Sequence, residues 1–267
     1  MPDDDLPQDA ALPADSRDVP PDHPVAVVTG AGSGLGRATT TALVAAGFRV
    51  ALLGRHRQTL EESAGLAGGS TIVLPTDISR PEEVESAFAA VVAEWGRIDL
   101  LYNNAGRFGP TGDVDEVEVD DWLASVATNL TGTFLCSRAA FAQMKRQRPQ
   151  GGRIINNGSI SAHSPRPGSA AYTATKHAIS GLTKTLSLDG RPYDIACGQI
   201  DIGNAATAIT AGIGTSTRQA DGSMRAEPTF DARHAADAVV RMALLPLDVN
   251  VQELTIMATA MPYVGRG

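Results

Sequence analysis

Tyr172 and Lys176 stand four positions apart in "SAAYTATKHAIS", and Ser159 lies thirteen positions before the tyrosine. On a helix this spacing places a phenol and an ammonium one turn apart on the same face. An unperturbed phenol has a pKa of about 10, so at neutral pH it is a poor base. A neighbouring ammonium favours the phenolate and lowers that value. A phenol tuned in this way, with a hydroxyl upstream, could form a proton-transfer site. A surface helix carrying an exposed Tyr and Lys is the plain alternative, and the rest of the chain separates the two.

A second cluster lies near the start of the ordered pattern. "TGAGSGLG", residues 29–36, joins an apolar run directly to a helical one. Glycines at such a junction let backbone approach a pyrophosphate, while the helix N-terminus offers amide hydrogens and positive partial charge. A dinucleotide site selects its cofactor near the end of the second strand: an acid binds a ribose hydroxyl, and a base accommodates a 2′-phosphate. The stretch "RVALLGRHRQTL" contains no acid; Gly54 is followed by Arg55, His56 and Arg57. Arg grips a phosphate through a charge-assisted fork, so Arg55 points to NADP(H), with Ser33 as a helper.

These groups need a scaffold, and the hydrophobic pattern supplies one. From Val25 onward, short β-branched runs alternate with longer helical segments: strands "VAVVTG", "FRVALLG", "STIVLPTD", "IDLLYNNAG", "GRIINNGS", "DIACGQIDI" and "VQELTIMA". Helices are expected between them, including one around 119–147, one over 170–189 and one near 231–245. Seven near-continuous apolar strands separated by helices predict an α/β fold: one doubly wound parallel sheet covered by helices on both faces. The ligand crevice of such a sheet lies beyond the carboxyl ends of its strands, and each motif falls at one of those ends.

With T-G-x-x-x-G-x-G at Gly30, Gly34 and Gly36, "NNAG" at 103–106 and Tyr-x-x-x-Lys at 172–176, the chain resembles the short-chain dehydrogenase/reductase family over about residues 24–260. The resemblance implies a Rossmann domain that interconverts a carbonyl and a secondary alcohol with a nicotinamide cofactor. It implies a catalytic tetrad of Asn129, Ser159, Tyr172 and Lys176. Ser159 would hold the substrate oxygen and Tyr172 would exchange its proton. Lys176 would assist the phenol and hydrogen-bond the nicotinamide ribose. The Asn129 carbonyl would link Lys176 to solvent through a water. Further implied cofactor contacts are Leu35, Asp77, Ile78, Asn104, Ala105, Gly106, Ile202 and Asn204. The chain departs from the family at "DIGNAAT", where Ile202 replaces a proline beside the nicotinamide while Gly203 remains. Residues 206–230 are expected to form a substrate lid, and His163 to be a bystander of the crevice.

Composition excludes other classes. Of the net charge of −8, −6 falls in residues 1–24, which hold seven Asp, one Arg and six Pro. That stretch reads as a disordered acidic tail, leaving residues 25–267 as one catalytic domain. No basic patch serves nucleic acid, no apolar run spans a membrane, and no ligand spacing suggests a metal. Cys136 and Cys197 read as buried free thiols, in keeping with a cytoplasmic protein. A homodimer or homotetramer is expected from the family. The readings left beside the NADP(H) enzyme are an NAD-dependent alcohol dehydrogenase and a nucleotide-sensing protein without turnover.

Overall fold

A computed structural model describes residues 23–207, 210 and 214–263. The expected acidic tail lies outside them, apart from its last two residues. Seven parallel strands form one sheet: β1 (Val25–Thr29), β2 (Arg49–Gly54), β3 (Thr71–Pro75), β4 (Leu100–Asn103), β5 (Gly152–Asn157), β6 (Ile195–Gly203) and β7 (Glu253–Met257). Their spatial order is β7-β6-β5-β4-β1-β2-β3, so the order reverses between β1 and β4. A crevice opens at such a reversal.

The strands alternate between two apolar cores because successive side chains point to opposite faces. Val25 and Val27 join the layer under α3 (Pro81–Trp95) and α5 (Thr133–Arg146). Ala26 and Val28 join the layer under α1 (Gly34–Ala45), α2 (Arg57–Ala67) and α7 (Ala232–Ala243). The long α6 (Ala170–Gly190) packs on the first side through Leu186. Helix ends carry recognisable signals. Pro81 opens α3 with Glu82 and Glu83 in its first turn, and Gly96 closes it at φ 78°; acids suit a helix N-terminus, and glycine takes the left-handed cap without strain.

The segment expected as one helix over 119–147 is two, α4 (Val119–Val126) and α5, joined by a π turn over Ala127–Gly132. A π turn inserts a residue into the hydrogen-bond ladder and often marks a functional position. Asn129 lies within it. Cys136 and Cys197 are buried and unpaired. No helix among the described residues is long and apolar enough to cross a membrane.

Candidate active site

The glycine turn forms the floor of a cleft of about 770 Å³ at the sheet reversal. Gly30 sits at φ 65°, and a Cβ there would come 2.9 Å from the Ala105 Cα. A Cβ on Gly36 would overlap the Gly30 carbonyl. Backbone therefore packs on backbone, and the turn leaves no room for side chains. Asn104 pins this arrangement, its Nδ2 donating to the carbonyls of Thr29 at 2.9 Å and Gly30 at 3.3 Å. The Thr29 hydroxyl in return accepts the amides of Asn104 and Ala105, both at 3.0 Å.

Gly30, Ser33, Gly34, Leu35, Gly36, Arg55, Asp77, Ile78, Asn104, Ala105, Gly106, Tyr172, Lys176 and Ile202 all line this one cleft. Asn204 does not. Its backbone turns left-handed at φ 59°, and its side chain is spent on a buried network with Arg166 and Glu227. Arg55 is exposed, and among the described residues no ion pair takes it. Arg57, by contrast, pairs with Glu61 along α2 at 3.5 Å. Burial works to raise the Asp77 carboxyl, but the Ser79 side chain and amide hydrogen-bond it, and Arg55 and Arg80 add charge. The result lies below the usual carboxylate value.

At the inner end, Tyr172, Lys176 and Ser159 converge. The Ser159 side chain acts on the Tyr172 phenol in favour of its ionised form. Lys176 Nζ donates to the Asn157 carbonyl at 2.6 Å and lies 5.5 Å from the Tyr172 ring centroid. The sequence predicts a phenol drawn downward by Lys176; the structure shows the opposite balance. Burial raises the Tyr172 phenol, opposed by the Ser159 side chain; Asp201 raises it further, and Arg166 opposes. Burial also lowers the Lys176 ammonium to about 8, against support from Asp201. Enclosure is the largest cause at both groups, since it disfavours the phenolate and the ammonium alike.

The Asn129 side chain braces the loop after β4. Its Oδ1 accepts the Arg107 amide at 2.8 Å, and its Nδ2 donates to the Arg107 carbonyl at 2.9 Å and to Thr175 Oγ1 at 3.2 Å. Its carbonyl accepts the Thr133 hydroxyl at 2.8 Å. The strap on Arg107 carries the next residue, Phe108, onto the Tyr172 ring, with centroids 4.8 Å apart. No local sequence pattern ties Phe108 to a tyrosine sixty-odd positions away, and none marks Arg37. It fastens the glycine turn to α2, donating to the Gly32 carbonyl at 2.7 Å and to Ser63 at 2.9 Å.

His163 leaves the crevice wall to meet Asp201 at 2.9 Å and Glu253 at 3.2 Å. Ile202, which replaces the family's proline, continues β6 in register with Ile256 of β7.

A doubly wound sheet with a glycine-turn cleft and a Ser–Tyr–Lys cluster defines a nicotinamide-dependent oxidoreductase of Rossmann type. A model of the short chain dehydrogenase family matches residues 24–218, and the chain belongs to that family. It is 35% identical over 196 residues to a 3beta-hydroxysteroid dehydrogenase of Mediterraneibacter gnavus, covering 71% of this chain and 68% of that one. An uncharacterized oxidoreductase of Staphylococcus aureus is 34% identical over 233 residues, covering 87% and 96%. Among solved structures, a 3-ketoacyl-(acyl-carrier-protein) reductase from Brucella melitensis complexed with NADH superposes with a TM-score of 0.79 at 25% identity, covering 89% and 98%. An alcohol dehydrogenase from Thermococcus sibiricus complexed with 5-hydroxy-NADP gives 0.76 at 25% identity, covering 90% and 98%.

Proposed function

We propose that the protein is a cytoplasmic NADP(H)-dependent oxidoreductase that interconverts a ketone and a secondary alcohol, with Tyr172 as acid and base. The observation that carries this reading is one cleft lined by the glycine turn and Arg55 and also by Tyr172 and Lys176, with Ser159 buried next to the phenol. The cleft suits a dinucleotide: the Gly30 and Gly36 cradle would be filled by any Cβ, and α1 opens onto it. Gly30, Ser33, Gly34, Leu35 and Gly36 would hold the pyrophosphate. Arg55 would take the 2′-phosphate, Asp77 and Ile78 the adenine, and Asn104, Ala105 and Gly106 the adjoining ribose. Lys176 and Ile202 would flank the nicotinamide, which when bound supplies or accepts the hydride.

The protein's own part is the proton and the oxygen. Ser159 donates a hydrogen bond to the substrate oxygen, and Tyr172, held as a neutral phenol by burial, gives that oxygen its proton. Lys176 then stabilises the phenolate left behind, and the Asn129 carbonyl offers a water the route by which the proton is restored. Phe108 and Tyr172 present an aromatic wall to the carbon skeleton. Reported relatives act on a hydroxysteroid and a 3-ketoacyl chain, which share a ketone or secondary alcohol on a largely apolar body.

A homo-oligomer is supported by Val119, Trp122 and Leu123, which α4 exposes, together with Phe134 of α5. An apolar helical surface of this kind suits a second copy. The body's near-neutral charge offers nucleic acid nothing.

The test follows reduced-nicotinamide absorbance with NADPH or NADH against a panel of ketones and aldehydes. Wild type should consume NADPH in preference to NADH, and Tyr172→Phe should lose about 10²–10⁴-fold in kcat while still binding NADPH. A preference for NADH would overturn the role of Arg55 and leave the chemistry. NADPH binding without turnover across the panel would favour a nucleotide-sensing role.

A further inference from the structure

Asp201 is a buried ionisable group to which the proton-transfer reading gives no task. It lies in β6 with its side chain wholly enclosed. Strands covered on both faces are ordinarily apolar at such positions, and enclosing a carboxylate is costly unless partners meet it. Here they do. Oδ1 accepts the Ser159 amide at 2.7 Å and Gln199 Nε2 at 2.8 Å. Oδ2 faces His163 Nε2 at 2.9 Å. The carboxylate reaches Ser159 only because residue 158 is glycine, since a Cβ there would overlap Oδ1.

We propose that Asp201 is a positioning residue for the reaction: it clamps the backbone at Ser159 and supplies the negative charge beside the Tyr172–Lys176 pair. The proposal rests on the assignment of Tyr172 as acid and base. The groups around Asp201 come from three elements. Its charge acts on Lys176 and Tyr172 of α6, His163 meets it from the segment after Ser159, and Glu253 of β7 lies beyond the histidine; Arg166 also acts on Tyr172. The charge on Asp201 counters burial at Lys176, in favour of the ammonium. At Tyr172 it reinforces burial, against the phenolate. Both effects favour phenol with ammonium, the state that delivers a proton to a carbonyl oxygen. Oxidation of the alcohol, which starts from the phenolate, is thereby moved to more alkaline pH.

The decisive variant is Asp201→Asn, nearly isosteric, which keeps an acceptor for the Ser159 amide and removes the charge. The first readout needs no substrate: phenolate absorbance against pH, taken as the difference between each protein and its Tyr172→Phe counterpart. The Tyr172 phenolate should appear at lower pH in Asp201→Asn. In turnover, the alkaline limb of kcat/KM for ketone reduction should move the same way. Activity on that limb should fall about tenfold, with NADPH affinity unchanged. Asp201→Ser, which can admit a water to the Ser159 amide, serves as the second variant and should shift both readouts alike. An unmoved phenolate in a folded, active variant overturns the proposal alone. A moved phenolate in a protein whose wild type is inactive across the panel overturns the catalytic reading of Tyr172 and the proposal with it. Failure of both variants to fold also overturns it, by making Asp201 a residue of stability.

Discussion

Lys176 is enclosed with one hydrogen bond, to the Asn157 carbonyl, and its ammonium titrates at about 8 against 10.5 for a free lysine. The unfolded chain keeps this proton up to the higher value, whereas the folded protein releases it near the lower one. Below about 8 the folded state therefore carries the full cost of a buried charge, and stability rises as pH climbs between the two values. Replacing the ammonium by an apolar chain of similar length removes that cost. Cofactor-free Lys176→Met should be roughly 2 kcal/mol more stable than wild type at neutral pH. It should also lack the wild type's gain in stability on alkalinisation. Urea unfolding at pH about 7 and about 10 measures both. A less stable Lys176→Met would show that the amine is held by more than the carbonyl beside it. Such a residue, costly to the fold and kept in the cleft, is what a trade between stability and chemistry looks like.

Among the elements, the glycine turn is the part whose sequence and shape agree most closely. Gly36→Ala would drive a methyl group into the Gly30 carbonyl, in a turn already closed by Asn104. The strain should cost about 1–3 kcal/mol and spoil the cradle. A lowered melting temperature together with weakened NADPH binding by fluorescence titration would show both effects. Melting unchanged with full NADPH binding would contradict the close packing of the turn. This turn was legible because its constraint is local: backbone must meet backbone within eight residues. The seven strands were legible because burial on both faces makes them continuously apolar, as in "VAVVT". The break in the 119–147 helix was not: the π turn "ATNLTG" is rich in weak helix formers, but these lower propensity without fixing which hydrogen-bond pattern takes over. The surroundings of Tyr172 were not legible either. Its aromatic cover comes from Phe108 and its opposing charges from Arg166 and Asp201, brought together by three separate strand ends.

Across the whole molecule, the sheet order gathers these strand ends on one line, and a buried clasp ties that line to the segment after β6. Arg166 Nη2 donates to Glu227 at 2.6 Å and to Asn204 Oδ1 at 2.8 Å, while Asn204 and Gln219 also donate to Glu227. Burial alone would raise the Glu227 carboxyl; hydrogen bonds from Asn204, Gln219 and Arg166, with the Arg166 charge, hold it below the usual value. Its contribution to stability is thus present above the ordinary carboxylate range and lost as pH falls through the lowered value. Arg166→Met leaves the buried carboxylate one cation short, at a cost of about 3 kcal/mol. Acid unfolding followed by circular dichroism should begin at higher pH than in wild type. Coincident acid-unfolding curves would show the clasp to be idle. The close approach of Asp201 to Gly158 bears on a different matter, the order in which this lineage could change. A Cβ at 158 would overlap Asp201 Oδ1 and come 2.6 Å from Gln199 Nε2, so positions 158, 199 and 201 are coupled in what they can accept. Mutational paths open at 158 only after both neighbours have given way.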